Sequence, residues 1–327
     1  MKAVLVERHG APDVLVEHEL EIPKPGPNEV LIQTHAISVN FGDVQRRRGP
    51  YPGGQSPPYV PGIEAAGSIV GVGPRVLKDR LGERVVAYTN RGAYAEYVTA
   101  ESRFALRLPE ILTFDSAAAG LTVGVTAFEL VRFVARLRKG QSAVVTAASG
   151  GVGRMLLQFA RLFGATPIVA AVGSRLKAEG EVAGHCDFVV MYESATLTDE
   201  LRRLLGRGVD IAFDSVGGHT TGELIRALAP FGRVVSFGQS AGPALVGTDE
   251  LYPDNRSILG YNAGQVRKLN PRRAIASARR LLQLLSSGIV ASAVTARYRL
   301  ADAPLAHQAL ESRSSVGKLL LVPDGIN

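Results

Sequence analysis

The residues best suited to chemistry lie in Ala143-Val144-Val145-Thr146-Ala147-Ala148-Ser149-Gly150-Gly151-Val152-Gly153, where an apolar run passes through small residues into glycines. Beyond them Met155, Leu156, Phe159, Ala160 and Phe163 recur at helical spacing. A strand that turns tightly into a helix brings the backbone N–H groups of the helix start close to a pyrophosphate. Ser149, Gly150, Gly151 and Val152 are therefore candidate cofactor contacts. Ala148 stands where a GxGxxG pattern carries its first glycine, so the match is incomplete. A second apolar run ends in Val172-Gly173-Ser174-Arg175-Leu176-Lys177, without the acid that an NAD site uses to bind the ribose hydroxyls. Ser174 offers a hydroxyl, and Arg175 and Lys177 offer positive charge for a 2′-phosphate. The expected cofactor is NADP(H).

Other chemistry-bearing clusters have structural readings. His185-Cys186-Asp187 leads into a strand, and one thiol beside one imidazole makes no complete metal or nucleophile site. His35 alternates with apolar neighbours and is read as a packed or half-exposed histidine. Arg46-Arg47-Arg48, and the helix carrying Arg272, Arg273, Arg279 and Arg280, are read as solvated faces. They lack interleaved aromatic residues for base stacking. Tyr252 and Tyr261 either flank a substrate or sit in a core.

The elements that must position these residues follow from periodicity. Residues 1 to 120 carry short apolar runs broken by Pro and Gly, the pattern of an irregular, mostly β domain. Phe128, Leu130, Val131, Val134 and Leu137 then recur at helical spacing, with Gly140 as a stop. Six apolar runs follow: Ala143–Ala147, Ile168–Val172, Phe188–Met191, Val209–Phe213, Arg233–Phe237 and Ser257–Tyr261. Most are continuously apolar, as parallel strands covered on both faces require. Helix candidates lie between them, including Thr198–Leu205 with Thr198 or Asp199 as cap. Such alternation predicts a doubly wound sheet. A last helix is expected over Pro271–Ser287, closed by Gly288. The strand-like tail from Tyr298 to Val322 is expected to return to the first domain. The predicted domains are 1–122 with 266–327, and 123–265.

Composition sets the outer limits. The chain has 327 residues, enough for two domains, and its 46% apolar and 20% charged content is that of a globular protein. A net charge of +7 suits an acidic ligand or an anionic surface. The single cysteine excludes an internal disulfide and any zinc site built on several thiolates. No apolar stretch reads as long enough to span a bilayer, about 20 residues. The N-terminus turns charged too soon for a signal peptide. A cytoplasmic protein without a membrane partner is expected.

Further segments carry a family resemblance. Asn40, Asp43, Arg47, Gly49 and Tyr51 fit the pattern NxxDxxxRxGxY, and Pro61-Gly62-Ile63-Glu64-Ala65-Ala66-Gly67 fits PGxExAG. Ala147–Gly153 reads AAxGGVG; Asp214-Ser215-Val216-Gly217-Gly218, Ser236-Phe237-Gly238 and the stretch from Glu311 to Lys318 also fit. Over nearly its whole length the chain resembles a zinc-independent medium-chain dehydrogenase/reductase of the quinone oxidoreductase (zeta-crystallin-like) type. The fold class so implied is α/β: a GroES-like β-rich catalytic domain plus a doubly wound six-stranded parallel-sheet (Rossmann) cofactor domain. The cofactor would lie in the cleft between them. Asn40 and Thr126 would approach the nicotinamide, and Ser174, Lys177 and Tyr192 the 2′-phosphate. Ser215 and Val216 belong to the matched cofactor segment. Phe237, Gly238 and Gln239 would line the ribose and nicotinamide end, with Arg313 and Lys318 at the far rim. A homodimer is implied, with Val235-Ser236-Phe237 and Ile258-Leu259-Gly260 near its sheet edge.

Zinc-dependent relatives place ligands where this chain has Asn40 and Ile63 and a third near Thr122, and none of these is expected to bind metal. Without a Lewis acid, alcohol oxidation is disfavoured and reduction of a conjugated acceptor remains. The implied activity is NADPH-dependent reduction, without zinc, of quinones or related conjugated carbonyl acceptors. Asn40 and Tyr51 would donate hydrogen bonds to the charge developing on the acceptor oxygen, and Tyr51 could supply a proton. Arg47 would either orient an anionic group or pair with Asp43. Two alternatives stay open: reduction of 2-alkenals, enones or enoyl thioesters, and a non-catalytic, crystallin-like role in binding NADPH or RNA. A nucleic-acid partner is the less expected outcome.

Overall fold

The computed structural model describes residues 1–49, 54–89, 92–174, 182–192, 197–312 and 315–325. The chain divides into two compact units, Met1–Thr122 with Ala278–Asn327, and Val123–Ser277. The first opens with a pair of strands, β1 (Lys2–Val6) and β2 (Leu15–Glu19), then β3 (Glu29–Val39), helix α1 (Phe41–Arg48), β4 (Glu64–Val72), β5 (Arg84–Tyr88), β6 (Tyr97–Glu101) and β7 (Ala105–Arg107). Helix α2 (Phe114–Glu129) leads into the second unit. There β8 (Ala143–Val145), α3 (Gly151–Leu162), β9 (Ile168–Val172), β10 (Phe188–Met191), α4 (Leu197–Leu205), β11 (Val209–Asp214), α5 (Gly218–Ala227), β12 (Leu228–Ser236), β13 (Ser257–Gly260) and α6 (Ala263–Leu269) follow. Helix α7 (Pro271–Ser286) returns the chain to the first unit, which closes with β14 (Val294–Arg299), α8 (Ala303–Glu311) and β15 (Lys318–Val322).

In the first unit the sheet order is β14-β15-β3-β4-β5-β7, with β6 also on β3. β3 alternates buried and half-exposed residues up to His35, and from Ala36 to Val39 every residue is buried. A register shift against β4 between Thr34 and Ala36 marks that change. Val30, Ile32, Ile37, Val85, Ala87, Leu319 and Leu321 form much of the core beneath. His35 stacks on Phe114, its ring centroid 4.3 Å away, and the Arg84 guanidinium lies 4.7 Å from the same ring.

In the second unit six parallel strands run in the order β10-β9-β8-β11-β12-β13. β8, β9 and β11 are buried along their whole length, while β10 and β13 at the two edges are partly open. This is the doubly wound sheet that the continuous apolar runs predict. β12 lies between β11 and β13, so Val235 and Ser236 are internal to the sheet and only the Ile258-Leu259-Gly260 segment reaches an edge. The unit continues past 265 to Ser277. Arg273 and Ser277 both bond the buried Glu129 carboxylate, which ties the start of α7 to the end of α2.

Several local expectations need correction. The helix before β8 does not run to Gly140: α2 passes at Leu130–Val134 into a π turn, and Arg136 leaves the helical region at φ 50°. The path Phe114–Val134 is long and apolar enough to cross a membrane, against the expectation of no such segment. Its most apolar window is 72% buried inside the protein, the mark of a core helix. Thr198 lies inside the first turn of α4 and does not cap it. Its hydroxyl donates to Glu223 O (3.0 Å) and Oε2 (2.7 Å), and the Glu223 carboxylate receives Thr198 N–H at 3.1 Å. Helix α8 interrupts a tail read as strand throughout; Ala303-Pro304 supplies its first turn.

Candidate functional site

Part of the predicted cofactor set, from Ser149 to Val152, Gly173, Ser174, Tyr192, Ser215, Val216, Phe237 and Gly238, lies where the parallel strands of the second unit end. After β8 the chain turns at Ala147 (φ 47°), and Gly150 N–H donates to Ala147 O at 2.9 Å. A Cβ on Gly153 would sit 2.4 Å from Ala147 O and 2.7 Å from Ala148 Cα, so a side chain there would push α3 off the turn. The first intrahelical bond runs from Arg154 N–H to Gly150 O (2.9 Å), and no side chain caps the helix. The N–H groups of Gly151, Val152 and Gly153 thus have no intrahelical acceptor, which suits an anion.

A buried carboxylate shapes the neighbouring loop. Asp214, the last residue of β11, accepts from Thr146 Oγ1 (3.0 Å), Val216 N (2.9 Å) and Thr221 Oγ1 (2.6 Å). Thr146 Oγ1 in turn accepts from Ser215 N–H at 3.1 Å. β8 and β11 are the adjacent strands at which the sheet order reverses, the place where doubly wound sheets bind ligands. Phe237 N–H donates to Asp214 O (2.9 Å), and a Cβ on Gly238 would lie 3.0 Å from Ser215 O. Ser149, Ser215, Val216, Phe237 and Gly238 therefore share one end of the sheet. Gly173 and Ser174 follow β9 at that end and are half-buried; Tyr192 follows β10, its N–H on Val172 O at 3.1 Å. Gln239 is exposed, and Thr126 is buried on α2. Arg175, Lys177, Tyr51 and Arg313 lie outside the described residues.

In the first unit Asn40 joins the end of β3 to α1, and its side chain is held at both ends. Asn40 Nδ2 donates to Glu64 Oε1 (2.9 Å), and Asn40 Oδ1 accepts from Lys318 Nζ (2.8 Å). Glu64 Oε2 accepts Thr122 N–H at 2.7 Å, while Lys318 Nζ also donates to Val39 O at 2.8 Å. Glu64 is 0% exposed and Lys318 5%. Burial lowers the Lys318 ammonium from its usual range, against the pull of Glu64 and Asp43. Asp43 receives Asn40 N–H at 3.1 Å, and burial pushes its carboxyl up to about 6 in spite of Arg46.

Known proteins match this frame. A family model for the alcohol dehydrogenase GroES-like domain matches residues 26–110, and one described as zinc-binding dehydrogenase matches 185–321. A quinone oxidoreductase of Salmonella typhimurium is 33% identical over 97% of this chain and 98% of its own length. The chain belongs to the zinc-independent quinone oxidoreductase family of medium-chain dehydrogenases/reductases. Two solved structures agree in fold: an Escherichia coli quinone oxidoreductase complexed with NADPH (30% identity, TM-score 0.91, covering 99% of this chain and 100% of that one), and a mycobacterial protein complexed with NADPH (33%, 0.92, 99% and 100%).

As a quinone oxidoreductase homologue, the chain is unsuited to zinc at the positions where metal-dependent relatives hold it. Asn40 has its carbonyl committed to an ammonium and its amide to a carboxylate, Ile63 is a buried hydrocarbon, and Thr122 offers only a hydroxyl.

Three expectations about this site change. Lys318 is no open rim residue, because its Nζ is sealed under Asn40 and Val39. Arg47 does not pair with Asp43, whose cationic neighbour is Arg46 at 3.5 Å. Arg47 is 0% exposed, donates Nη1 to Gly10 O at 2.7 Å and pairs through Nη2 with Glu311, so it has no open face for an anionic substrate. The arginine clusters are not wholly solvated either: Arg273 pairs with Glu129 and lies 4.4 Å from the centroid of the Phe133 ring. A cavity of about 470 Å³ opens beside Arg132, Phe133, Arg136 and Arg138, ahead of β8, and includes none of the predicted site residues. Asp187 accepts from Arg161 (2.8 Å) and from Ile168 N–H (2.7 Å), and burial raises the Cys186 thiol above its usual range, fitting a structural role. Asp214 and Glu64 join the site without being among the residues that the sequence reading selects. The signal lay in their matched segments, each carrying an acid beside small residues.

Proposed function

We propose that this chain is an NADPH-dependent reductase of quinones, working without zinc as a homodimer in the cytoplasm. The uncapped, glycine-tight start of α3 carries the proposal, together with a sequence after the second strand that reads Ser174, Arg175 and Lys177 where an NAD site has an acid. Family membership and the NADPH carried by the two structural neighbours support the same cofactor.

When bound, NADPH would supply the hydride that, together with one proton, takes a quinone to a hydroquinone. The backbone N–H groups of Gly151, Val152 and Gly153 bind the diphosphate, and Lys177 and Ser174 bind the 2′-phosphate. Asn40 keeps one Nδ2–H beyond the one given to Glu64, and donates it to the oxygen on which charge develops. Tyr51 donates the proton: a tyrosine, with an ordinary pKa of about 10, stays protonated at neutral pH. The free edge of β13 is the proposed pairing surface. Nucleic acid is not among the proposed partners.

The test follows NADPH absorbance with 9,10-phenanthrenequinone, 1,4-benzoquinone and a medium-chain 2-enal, each repeated with NADH. Quinone-dependent oxidation of NADPH at a rate well above that with NADH is expected. Turnover with the enal alone would replace the acceptor. Binding of NADPH without turnover of any acceptor would overturn the catalytic assignment.

A further inference from the structure

We propose that Lys318 is a positioning residue for Asn40, and that the pair Lys318–Glu64 sets which way the Asn40 amide faces. The proposal rests on the reading that Asn40 donates a hydrogen bond to the reacting groups. An asparagine amide has nearly isosteric ends, so its orientation is decided by what it meets. Here one end meets a carboxylate at 2.9 Å and the other an ammonium at 2.8 Å. Turning the amide over would set Nδ2–H against Nζ–H and Oδ1 against the Glu64 carboxylate, repulsive at both ends. Only one orientation survives, with Oδ1 toward Lys318 and Nδ2 toward Glu64. The cation on Oδ1 also polarises the amide, which makes the remaining Nδ2–H a better donor.

The chain places Lys318 there by backbone means. Gly317 has φ 67°, and a Cβ on it would lie 2.7 Å from Ala293 O and 2.9 Å from Thr295 Cγ2. Lys318 N–H then donates to Ala293 O (2.8 Å), and Thr295 Oγ1 donates to Lys318 O (3.2 Å). β15 pairs with β3 in a register that sets Leu319 opposite Val39, so Lys318 begins its strand where Asn40 leaves its own. Its second bond, to Val39 O at 2.8 Å, holds the ammonium on that junction. With Nζ bonded to both Val39 O and Asn40 Oδ1, Lys318 acts on the reaction through Asn40.

A double-mutant cycle tests this. Lys318→Met in the otherwise unchanged protein should lower kcat about tenfold, as expected when an oriented hydrogen bond is lost, with the NADPH Kd moved less than about threefold. In an Asn40→Ala background the same substitution should change kcat less than about twofold, because the group through which it acts is gone. Glu64→Gln gives the second line, since glutamine can meet the amide either way round; its effect should also shrink to about twofold in Asn40→Ala. It carries the test if Lys318→Met does not fold. Multiplying effects of Lys318→Met and Asn40→Ala would overturn the proposal, as would a loss carried by NADPH Kd, the sign of direct cofactor contact. If Asn40→Ala itself leaves kcat unchanged, the catalytic reading of Asn40 falls and this proposal with it. If Asn40→Ala lowers kcat but Lys318→Met does not, only the proposal falls.

Discussion

Two buried carboxylates end up in opposite employments. Asp214 in the second unit and Glu64 in the first are both 0% exposed and both sit at a strand terminus. Asp214 meets neutral donors, namely two hydroxyls and the N–H groups of the loop that follows it. It therefore fixes backbone: the N–H groups of Val216 and Gly217 turn toward its oxygens. Glu64 meets one backbone N–H and the amide of Asn40, and beyond that amide stands the Lys318 ammonium. It fixes the direction of a side chain. A buried acid surrounded by neutral donors shapes a loop for binding, whereas one linked through an amide to a cation aims a donor.

The largest expected effect breaks the first arrangement. Asp214→Ala would leave the Thr146 and Thr221 hydroxyls and the Val216 N–H without their acceptor. We predict a loss of about 3–5 kcal/mol in unfolding free energy, by the standards of a broken buried polar network. Denaturant melts measure it, and a loss below about 1 kcal/mol would mean the loop is held by something else. Next comes Gly153→Val, which places a branched side chain against Ala147 O. It should raise NADPH Kd more than about tenfold, or about 1.4 kcal/mol. Its kcat at saturating NADPH should fall far less, the reverse of the pattern expected for Lys318→Met. Equal splits in the two variants would erase the distinction between binding and aiming.

A smaller effect concerns pH in the first unit. His307 is buried against Tyr94 OH (3.0 Å), and burial, with Arg47 adding, drives its pKa from 6.5 down to about 3. The folded state then holds fewer protons than the unfolded one between those values. Stability is full above pH 6.5 and is lost as pH falls toward 3. Asp43 works the other way, because its folded pKa of about 6 exceeds the ordinary 3.8. Its contribution falls as pH rises from about 4 to 6. His307→Gln should therefore flatten the loss on acidification, read as Tm against pH between 6.5 and 4. An unchanged slope would show that other groups carry it. Smallest of all, Cys186→Ser should move stability by less than about 0.5 kcal/mol and leave turnover unchanged, as expected away from the site.

What was legible in the sequence follows the same division. The cofactor loop depends on missing side chains at Gly150, Gly151 and Gly153, and a missing side chain is visible in a sequence directly. The six parallel strands show as uninterrupted apolar runs, because helices cover both faces. Asn40 and Lys318 are each recognisable, but they stand 278 positions apart, and nothing in either segment says that they touch. Arg47 shows the same limit. Its spacing from Asp43 suggests a pair one helical turn apart, yet its partner is Glu311, brought in by α8. The π turn after α2 preserves the apolar residues Leu130 and Val131 while changing the pitch, so periodicity alone reads straight through it. Tyr51, Lys177 and Arg313 stay sequence assignments.

The measurement closest to the central claim is quinone-dependent oxidation of NADPH by protein first dialysed against a strong zinc chelator. The account predicts an undiminished rate, unaltered by added zinc, and a rate with NADH well below that with NADPH. Loss of the rate on chelation with recovery on zinc, or equal use of NADH, would contradict it.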